Sequence, residues 1–448
     1  MDWKRRLGSA FALAVATGVF AVASWAEEAD TDAAVDTGAS GDAAADADDG
    51  RLERIEEQVE VLAEEMGRLE SIFAVPEEVA YESYSGLAPA ASKVYKRDQG
   101  LSIGGYGEVR LRSFQDEGDD EKDDVFDALR AVLYVGYKFD ENWVFNSELE
   151  FEHAGSGGGG SVSSEFVTID YLWKDEVNFR VGLVLVPMGY VNEIHEPNFF
   201  FGAERPEVER VIMPSTWREN GGGFYGTIAD RIDYRFYVIN GFDGQGFDSG
   251  GLRGGRQKGS RAIANDFAFV GRIDVDVVDG LQVGGSVYTG QSGQEQRGVD
   301  GQLLPDALTT IYELHAQYKG YGATVRALWT QAFIDEAGAL SRGLGLGPSS
   351  SIAQQLGGWY IEAGYDILPL FMETRASLEP YFRYETYDTQ KEVSDQFARD
   401  RSKDIDLYVV GLQFKPIPQV VFKVDYRHFD PVAGDRANEI QALVGYVF

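Results

Sequence analysis

The chain of 448 residues has no cysteine and only 4 histidines, and its 40 lysines and arginines are outnumbered by 74 aspartates and glutamates. Each shortage removes a class of chemistry. Without cysteine there is no disulfide framework, iron–sulfur cluster, thiol nucleophile or cysteine-ligated zinc. A formal net charge of −34 repels phosphate backbones, which argues against a nucleic-acid partner. Beyond the leader, no stretch approaches the roughly 18–20 consecutive apolar residues of a spanning helix. With a mean hydropathy of −0.25, a polytopic helical membrane protein is excluded. Strands escape that exclusion, because only alternate residues of a membrane barrel need be apolar. What the chain has in quantity is 53 glycines, 27 phenylalanines and 23 tyrosines. Its length suggests two or three domains unless one barrel absorbs it.

The N-terminus sets the compartment. Lys4, Arg5 and Arg6 precede an apolar run from Leu7 to Val22, and Ser24-Trp25-Ala26 supplies small residues before Glu27. Residues 1–26 therefore read as a secretory signal peptide cleaved after Ala26, the alternative being an uncleaved anchor helix. Residues 27–50 are rich in Ala and Asp, with 9 acids and no base, and read as a disordered acidic spacer. Over 51–74, Leu52, Ile55, Val59, Leu62, Met66, Leu69 and Phe73 fall 3-4-3-4-3-4 apart on one a/d seam, which predicts a short coiled-coil helix. Three heptads are marginal alone, so the seam suits an assembly held elsewhere; a single amphipathic helix on a surface is the other reading. Residues 75–99 read as a linker.

From residue 100 the pattern changes to runs of Val, Ile, Leu, Tyr and Phe that alternate with polar residues. Phe145, Ser147, Leu149 and Phe151 face one way; Asn146, Glu148, Glu150 and Glu152 face the other. A soluble sandwich alternates too, so the connections decide. Short turns are expected near 139–142, 174–176, 229–231, 278–280, 319–320, 368–373 and 415–418. Long connections are expected near 115–124, 153–163, 187–221, 241–262, 291–306, 334–354, 388–403 and 430–436. Long and short alternate strictly, which predicts an all-β, transmembrane antiparallel barrel of about 16 strands over 100–448. Trp143 and Trp173 sit beside short turns, and Trp329 and Trp359 flank a long loop, as two aromatic girdles would require. A closed barrel also pairs every backbone group, and one of this size leaves a water-filled lumen. The chain ends on Phe448 after Tyr446, Val444 and Ala442 at period two, an alternating aromatic end like the signal read by the barrel assembly machinery.

The 187–221 connection is the longest and holds Pro187, Pro197, Pro206 and Pro214, with Phe199-Phe200-Phe201 among charges. Long ordered loops tend to carry function. Here several patches resemble the phosphate-selective porin O and P family of outer-membrane channels. They are Ala90-Ala91-Ser92-Lys93-Val94-Tyr95 leading into Leu101–Glu108, His195-Glu196-Pro197 with Gly202, Glu204-Arg205 and Pro214-Ser215-Thr216-Trp217, the Gly357–Asp366 run, and Phe448. The resemblance covers about residues 90–448. It implies a homotrimeric channel for passive diffusion whose third long loop folds into the lumen.

On that reading Glu204, Arg205, Glu207, Arg210 and Arg218 form the pore constriction. Glu108, Arg110, Arg112, Arg130, Glu148, Arg180, Arg235, Arg272, Arg326, Arg383, Lys423 and Arg427 are lumen-facing candidates. Six acids (Glu193, Glu196, Glu204, Glu207, Glu209, Glu219) face three bases in the loop, so an anion or phosphate preference, general small-solute passage and a cation or other specificity all stay open. Each arginine could equally be a salt bridge stiffening the wall. Arg253, Arg256, Lys258 and Arg261 form a basic run in an external loop, suited to gathering anions or lipopolysaccharide phosphates, or simply solvated. Asp116 to Asp124 crowds acids that either bridge divalent cations to lipid or are solvated. No cofactor or metal site is expected. An enzyme is not expected either, since His153, His195, His315 and His428 are scattered and no G-x-S-x-G occurs. The remaining alternative is a barrel that serves mainly as a structural tether through a periplasmic coiled coil.

Overall fold

The computed structural model describes residue 61, residues 83–115 and residues 122–448. The leader, the spacer, the heptad segment apart from helical Val61, the first part of the linker and the acid-rich 116–121 lie outside these residues.

Sixteen strands follow one another along the chain. They are β1 (Gly100–Gln115), β2 (Val125–Lys138), β3 (Trp143–Glu152), β4 (Ser161–Lys174), β5 (Val177–Leu185), β6 (Arg218–Ile228), β7 (Ile232–Asn240) and β8 (Phe267–Val278). Then come β9 (Leu281–Gly290), β10 (Thr309–Gly320), β11 (Ala323–Ile334), β12 (Gln355–Tyr365), β13 (Ser377–Glu392), β14 (Asp404–Ile417), β15 (Val420–Pro431) and β16 (Asn438–Val447). Each pairs antiparallel with the next, and β16 returns to β1 in a register from Tyr106↔Val447 to Gln115↔Asn438, closing the barrel. Closure reaches the last residue: the Phe448 N–H donates to Gly105 O, and the Phe448 main-chain oxygen accepts from Gly105 N–H, both at 2.9 Å. The sixteen-stranded barrel expected from the alternation of long and short connections is the one observed.

Two connections differ in detail. The β10–β11 turn lies two residues later than expected, at Tyr321 and Gly322. Both have positive φ (51° and 80°), the conformation of a tight hairpin turn whose twist matches its strands. Between β12 and β13 the short turn widens to 366–376, which includes a single helical turn at Leu368–Leu370.

The wall is inverted relative to a water-soluble protein. On β15, Lys423, Asp425 and Arg427 are buried inside, whereas Tyr426 on the opposite face is 37% exposed. The same outward belt carries Phe382, Val410, Leu314, Phe269 and Val181. In water each such side chain would forgo about 1.5–3 kcal/mol of burial; in lipid it forgoes nothing. Trp329 and Trp359 pair across β11–β12, and Trp143 and Trp173 are exposed beside short turns.

The interior is less empty than strand number alone implies. Toward the long-loop end, the inward faces of β7 to β15 turn apolar. They pack with loop residues Trp217, Phe242, Phe247, Leu252, Leu340 and Ile352 in one buried cluster. The external loops fold inward because their apolar residues find a matching wall there. Trp217 stacks on Phe242 with centroids 4.4 Å apart, and Tyr288 tilts against both.

Candidate functional site

The longest connection, 186–217, leaves β5, crosses the lumen and returns to β6. Its two ends are tied by one side chain. Asn192 donates to Val186 O (2.6 Å) and Trp217 O (2.8 Å) and accepts the Trp217 amide (2.7 Å). Pro197 opens a short helical turn over Pro197–Phe199, and Pro206 precedes a one-turn helix at Glu207–Val211. Proline suits both starts because it has no N–H to leave unpaired.

Several expected lumen bases grip the backbone of this loop. Arg326 donates to Phe199 O (2.7 Å), and Lys423 to Phe200 O (2.6 Å) and Gly202 O (2.9 Å). Arg383 donates to Phe201 O (3.0 Å) and Glu204 O (3.2 Å), and Arg272 to Gly189 O. Wall carboxylates take the complementary donors: Asp425 accepts Ala203 N–H (2.7 Å) and Glu385 accepts Val208 N–H (2.9 Å). A loop buried away from bulk water must satisfy its peptide groups, and the wall's charged residues do so.

The remaining expected residues form ion pairs. Arg130 contacts Glu108 (2.7 Å) and Glu150 (3.2 Å), and Arg180 contacts Asp170 (2.9 Å). Arg235 contacts Glu193 (3.1 Å) and Asp274, and Arg112 contacts Glu439. Arg427 bridges Glu207 (2.8 Å) and Glu439 (2.9 Å). Arg110 meets Glu204 from the loop, and Arg210 meets Glu207 at 2.5 Å. Glu148 receives His195 Nε2 at 3.0 Å. Of the five expected constriction residues, Glu204, Glu207 and Arg210 therefore converge with Arg110 and Arg427. Arg218 sits at the start of β6 and pairs with Glu165 at 2.7 Å. Arg205 is 8% exposed, and its Nη2 has no hydrogen-bond partner among the described residues.

The loop's carboxyls divide according to their neighbours. Burial raises Glu204, but Arg110 and then Arg427 reverse it and hold the carboxyl down at about 2. Burial likewise opposes ionisation of Glu207, and Arg210 with Arg427 brings it well below the usual range. Glu209 has no such cation. Burial lifts it to about 7, although Val191 N–H and the Tyr360 hydroxyl stabilise its charge. Buried His195 is lowered to about 3, by desolvation first and Arg205 second.

Two features were not legible as site residues. One is a cavity of about 370 Å³ at the long-loop end, where Arg210, Arg253, Lys403 and Arg436 converge with Asp435 as their one acid. Arg253 comes from the basic run, which supplied a faint signal, and donates to Ser215 O at 2.5 Å. Burial and repulsion from Arg256 and Arg210 lower it to about 9. Arg436 lies over the Phe429 ring at 3.7 Å and donates to Tyr387 OH at 2.9 Å. The other feature is the described end of the linker. Residues 84–96 hold a helical turn at Pro89–Ser92, continue through Lys93–Lys96, and pack inside the barrel against β1, β2 and β3.

No family model matches the chain. It is 37% identical over 358 residues to an uncharacterized protein of Aquifex aeolicus (strain VF5), covering 78% of this chain and 80% of that one. Among solved structures, Salmonella typhi OmpF in complex with daunomycin superposes with a TM-score of 0.54 at 12% identity, over 78% of this chain and 98% of that one. The outer membrane channel DcaP of Acinetobacter baumannii gives a TM-score of 0.50 at 12% identity, over 79% and 98%. At such identities the likeness is one of fold.

Proposed function

Because the chain belongs to the same family as the uncharacterized Aquifex aeolicus protein and carries the fold of outer-membrane porins, we propose that it is itself such a porin, a passive channel for small hydrophilic solutes and ions. The observation that carries this reading is the inversion of its wall, with charge lining the inside of a closed sixteen-stranded barrel and hydrocarbon covering the outside. Export by the signal peptide, recognition of Phe448 by the barrel assembly machinery, contact with lipopolysaccharide and a homotrimeric state belong to the same proposal.

The finer reading is a preference for anions, in line with the resemblance to the phosphate-selective porin O and P group. It is supported by where cationic charge is least neutralised. Most bases inside the barrel are consumed by carboxylates or by loop carbonyls, so they hold structure and add little net field. At the outer cavity Arg210 and Arg436 share Glu207, but Arg253 and Lys403 add charge against Asp435 alone, and a mouth with a cationic excess concentrates counter-ions. Solutes would enter there and pass Arg210, Glu204 and Arg110.

The test is reconstitution of the heat-modifiable protein in planar bilayers, with the reversal potential read across a KCl gradient. Conductance with a potential of anion-selective sign is expected. A folded preparation without conductance would overturn the channel reading, and a cation-selective potential would overturn the anion preference alone.

A further inference from the structure

Deepening the channel reading and resting on it, we propose that Tyr84–Lys96 is a resident inner plug. It closes the β1–β7 side of the short-turn mouth and steers solute out past the opposite wall, where Lys319 and Lys415 become specificity-determining residues.

The segment is built to stay inside. Leu87, Ala88, Ala90, Ala91, Val94 and Tyr95 are buried, and all but Ala88 pack with inward Tyr106, Tyr134, Val144 and Phe166 as one apolar cluster. The wall is recessed to receive them. A Cβ on Gly136 of β2 would come within 2.7 Å of Val94, and one on Gly104 of β1 within 3.0 Å of Ala90 O. Gly86 has φ +79°, and any side chain there would collide with the Arg235 guanidinium of β7.

Polar groups then fix the plug from several strands. Asn146 of β3 donates to Ala91 O at 2.8 Å. Tyr95 OH donates to Asp170 of β4 at 2.8 Å and accepts from Arg180 of β5 at 3.1 Å. Tyr84 stacks on Tyr95 with centroids 4.2 Å apart and meets Tyr225 of β6 edge-on. Within the segment, Ser92 Oγ donates to the carbonyls of Leu87 and Ala88 and accepts the Tyr84 amide at 2.9 Å.

A second filling covers the neighbouring arc. The crossing loop reaches down to β15 and β16, with Asn198 donating to Pro418 O at 2.8 Å and Pro197 lying against Gly445. Among the described residues, what stays uncovered at this end is the rim of the arc from β8 to β14, the loop meeting only the deeper Arg326, Gly364 and Tyr381 through Phe199 and Phe201. There the inward-facing Asp276 and Lys319 are exposed, while Gln317, Glu379 and Lys415 are only half-buried. Lys319 and Lys415 lie near enough to act electrostatically on each other and on Glu379 and Arg326. They flank the rim that, among the described residues, neither filling reaches.

Val94→Asp with Tyr95→Asp sets new carboxylates in the apolar seat and beside Asp170, and should expel the plug. In planar bilayers this double variant, still heat-modifiable, should conduct about 1.5- to 2-fold more than the parent, as added open cross-section requires. In the intact channel, Lys319→Glu with Lys415→Glu should move the reversal potential toward cation selectivity, and the shift should shrink once the plug is expelled. Equal conductance with and without the plug, or equal shifts in both backgrounds, would overturn the inference while leaving the channel reading in place. A silent parent that conducts after expulsion would overturn the open passive channel and the route past Lys319 and Lys415; silence in both would overturn both readings. Because the chain has no cysteine, a single Val94→Cys offers a check independent of plug expulsion. Seated against Gly136, its thiol should resist a hydrophilic maleimide in the folded barrel and react only after unfolding; rapid labelling of the folded protein would overturn the placement.

Discussion

The barrel holds two fillings, and they are secured by opposite means. The 186–217 loop is gripped by charge: Arg326, Arg383 and Lys423 donate to its carbonyls, and Glu204 and Glu207 lock onto Arg110, Arg210 and Arg427. The Tyr84–Lys96 segment is seated by hydrocarbon, with Val94, Ala90 and Leu87 against recessed glycines and aromatic rings. Charge holds a position through directional bonds but costs desolvation, whereas apolar packing is non-directional and gains from leaving water. The loop therefore gains a defined path and a sensitivity to pH. The plug gains adhesion that does not titrate.

That contrast should fail first at Asp170, the one place where the apolar filling leans on a buried ion pair. Asp170 collects Arg180 (2.9 Å), Tyr95 OH (2.8 Å) and Tyr225 OH (2.7 Å), and neither charged side chain is more than 4% exposed. Asp170→Ala leaves a guanidinium buried without its counter-charge, a loss of about 3–5 kcal/mol. The expected outcome is a marked fall in the unfolding midpoint of the detergent-solubilised barrel. A midpoint within error of the parent would mean that water reaches this pair.

Lys423→Met tests the charged filling in the same way, with a smaller effect. The substitution keeps most of the stem and removes two donors, so Phe200 O and Gly202 O lose their partner. Unsatisfied buried carbonyls cost about 1–3 kcal/mol. Because the loop narrows the lumen, the readout is open-channel noise, which should rise as the loop loosens. Noise that stays flat while stability falls would assign Lys423 to the wall alone.

Titration separates the two fillings without mutation. Glu209 has its carboxyl raised to about 7, above an unfolded value near 4.5. A raised group contributes stability that is fully present below the unfolded value and is lost as pH rises through the folded one. Glu204 and Glu207, held low by arginines, contribute fully above the unfolded value near 4.5 and lose that contribution progressively as pH falls below it. From pH 5 to 8 the loop should accordingly loosen, with noise increasing on the alkaline side; Glu196, in the same loop and lifted by burial to about 8, adds to the effect, so Glu209→Gln should reduce the trend and Glu196→Gln with Glu209→Gln should flatten it. A trend that survives the double substitution would point to another group.

How far the sequence could be read follows from the kind of force involved. The barrel was legible because lipid imposes period two on every strand, and because long and short connections alternate on opposite rims. The crossing loop showed itself by length and by its prolines. The roles of the lumen bases did not. Arg383 and Lys423 are as cationic as Arg436, and no local signal says that their donors end on backbone carbonyls from a loop some 180 to 220 residues away in the chain. The plug was hidden for a related reason. Ala90–Tyr95 carried part of the family resemblance but gave no sign of where it packs, and its partners Gly104, Gly136 and Asp170 gain meaning only once the barrel has closed around it. The inward-folding external loops hid a third feature, since Trp217 and Phe242 meet only across two separate connections.

The smallest expected effect lies at the outer cavity, where neither filling is disturbed. Arg436 stands over Phe429 beside Arg210, Arg253 and Lys403, with its side chain 27% exposed. Arg436→Gln keeps a polar donor but shortens the side chain and removes its charge together with its contact over Phe429. In wet surroundings screened over about 8 Å at physiological salt, one charge should alter the anion-to-cation permeability ratio by about twofold or less. The sign matters more than the size. A cavity that acts through its field should show a larger change at 0.01 M salt, where the screening length grows to about 30 Å, and almost none at 1 M. A change that ignores ionic strength would instead mean that Arg436 contacts the solute directly, making the vestibule a binding site as well as a funnel.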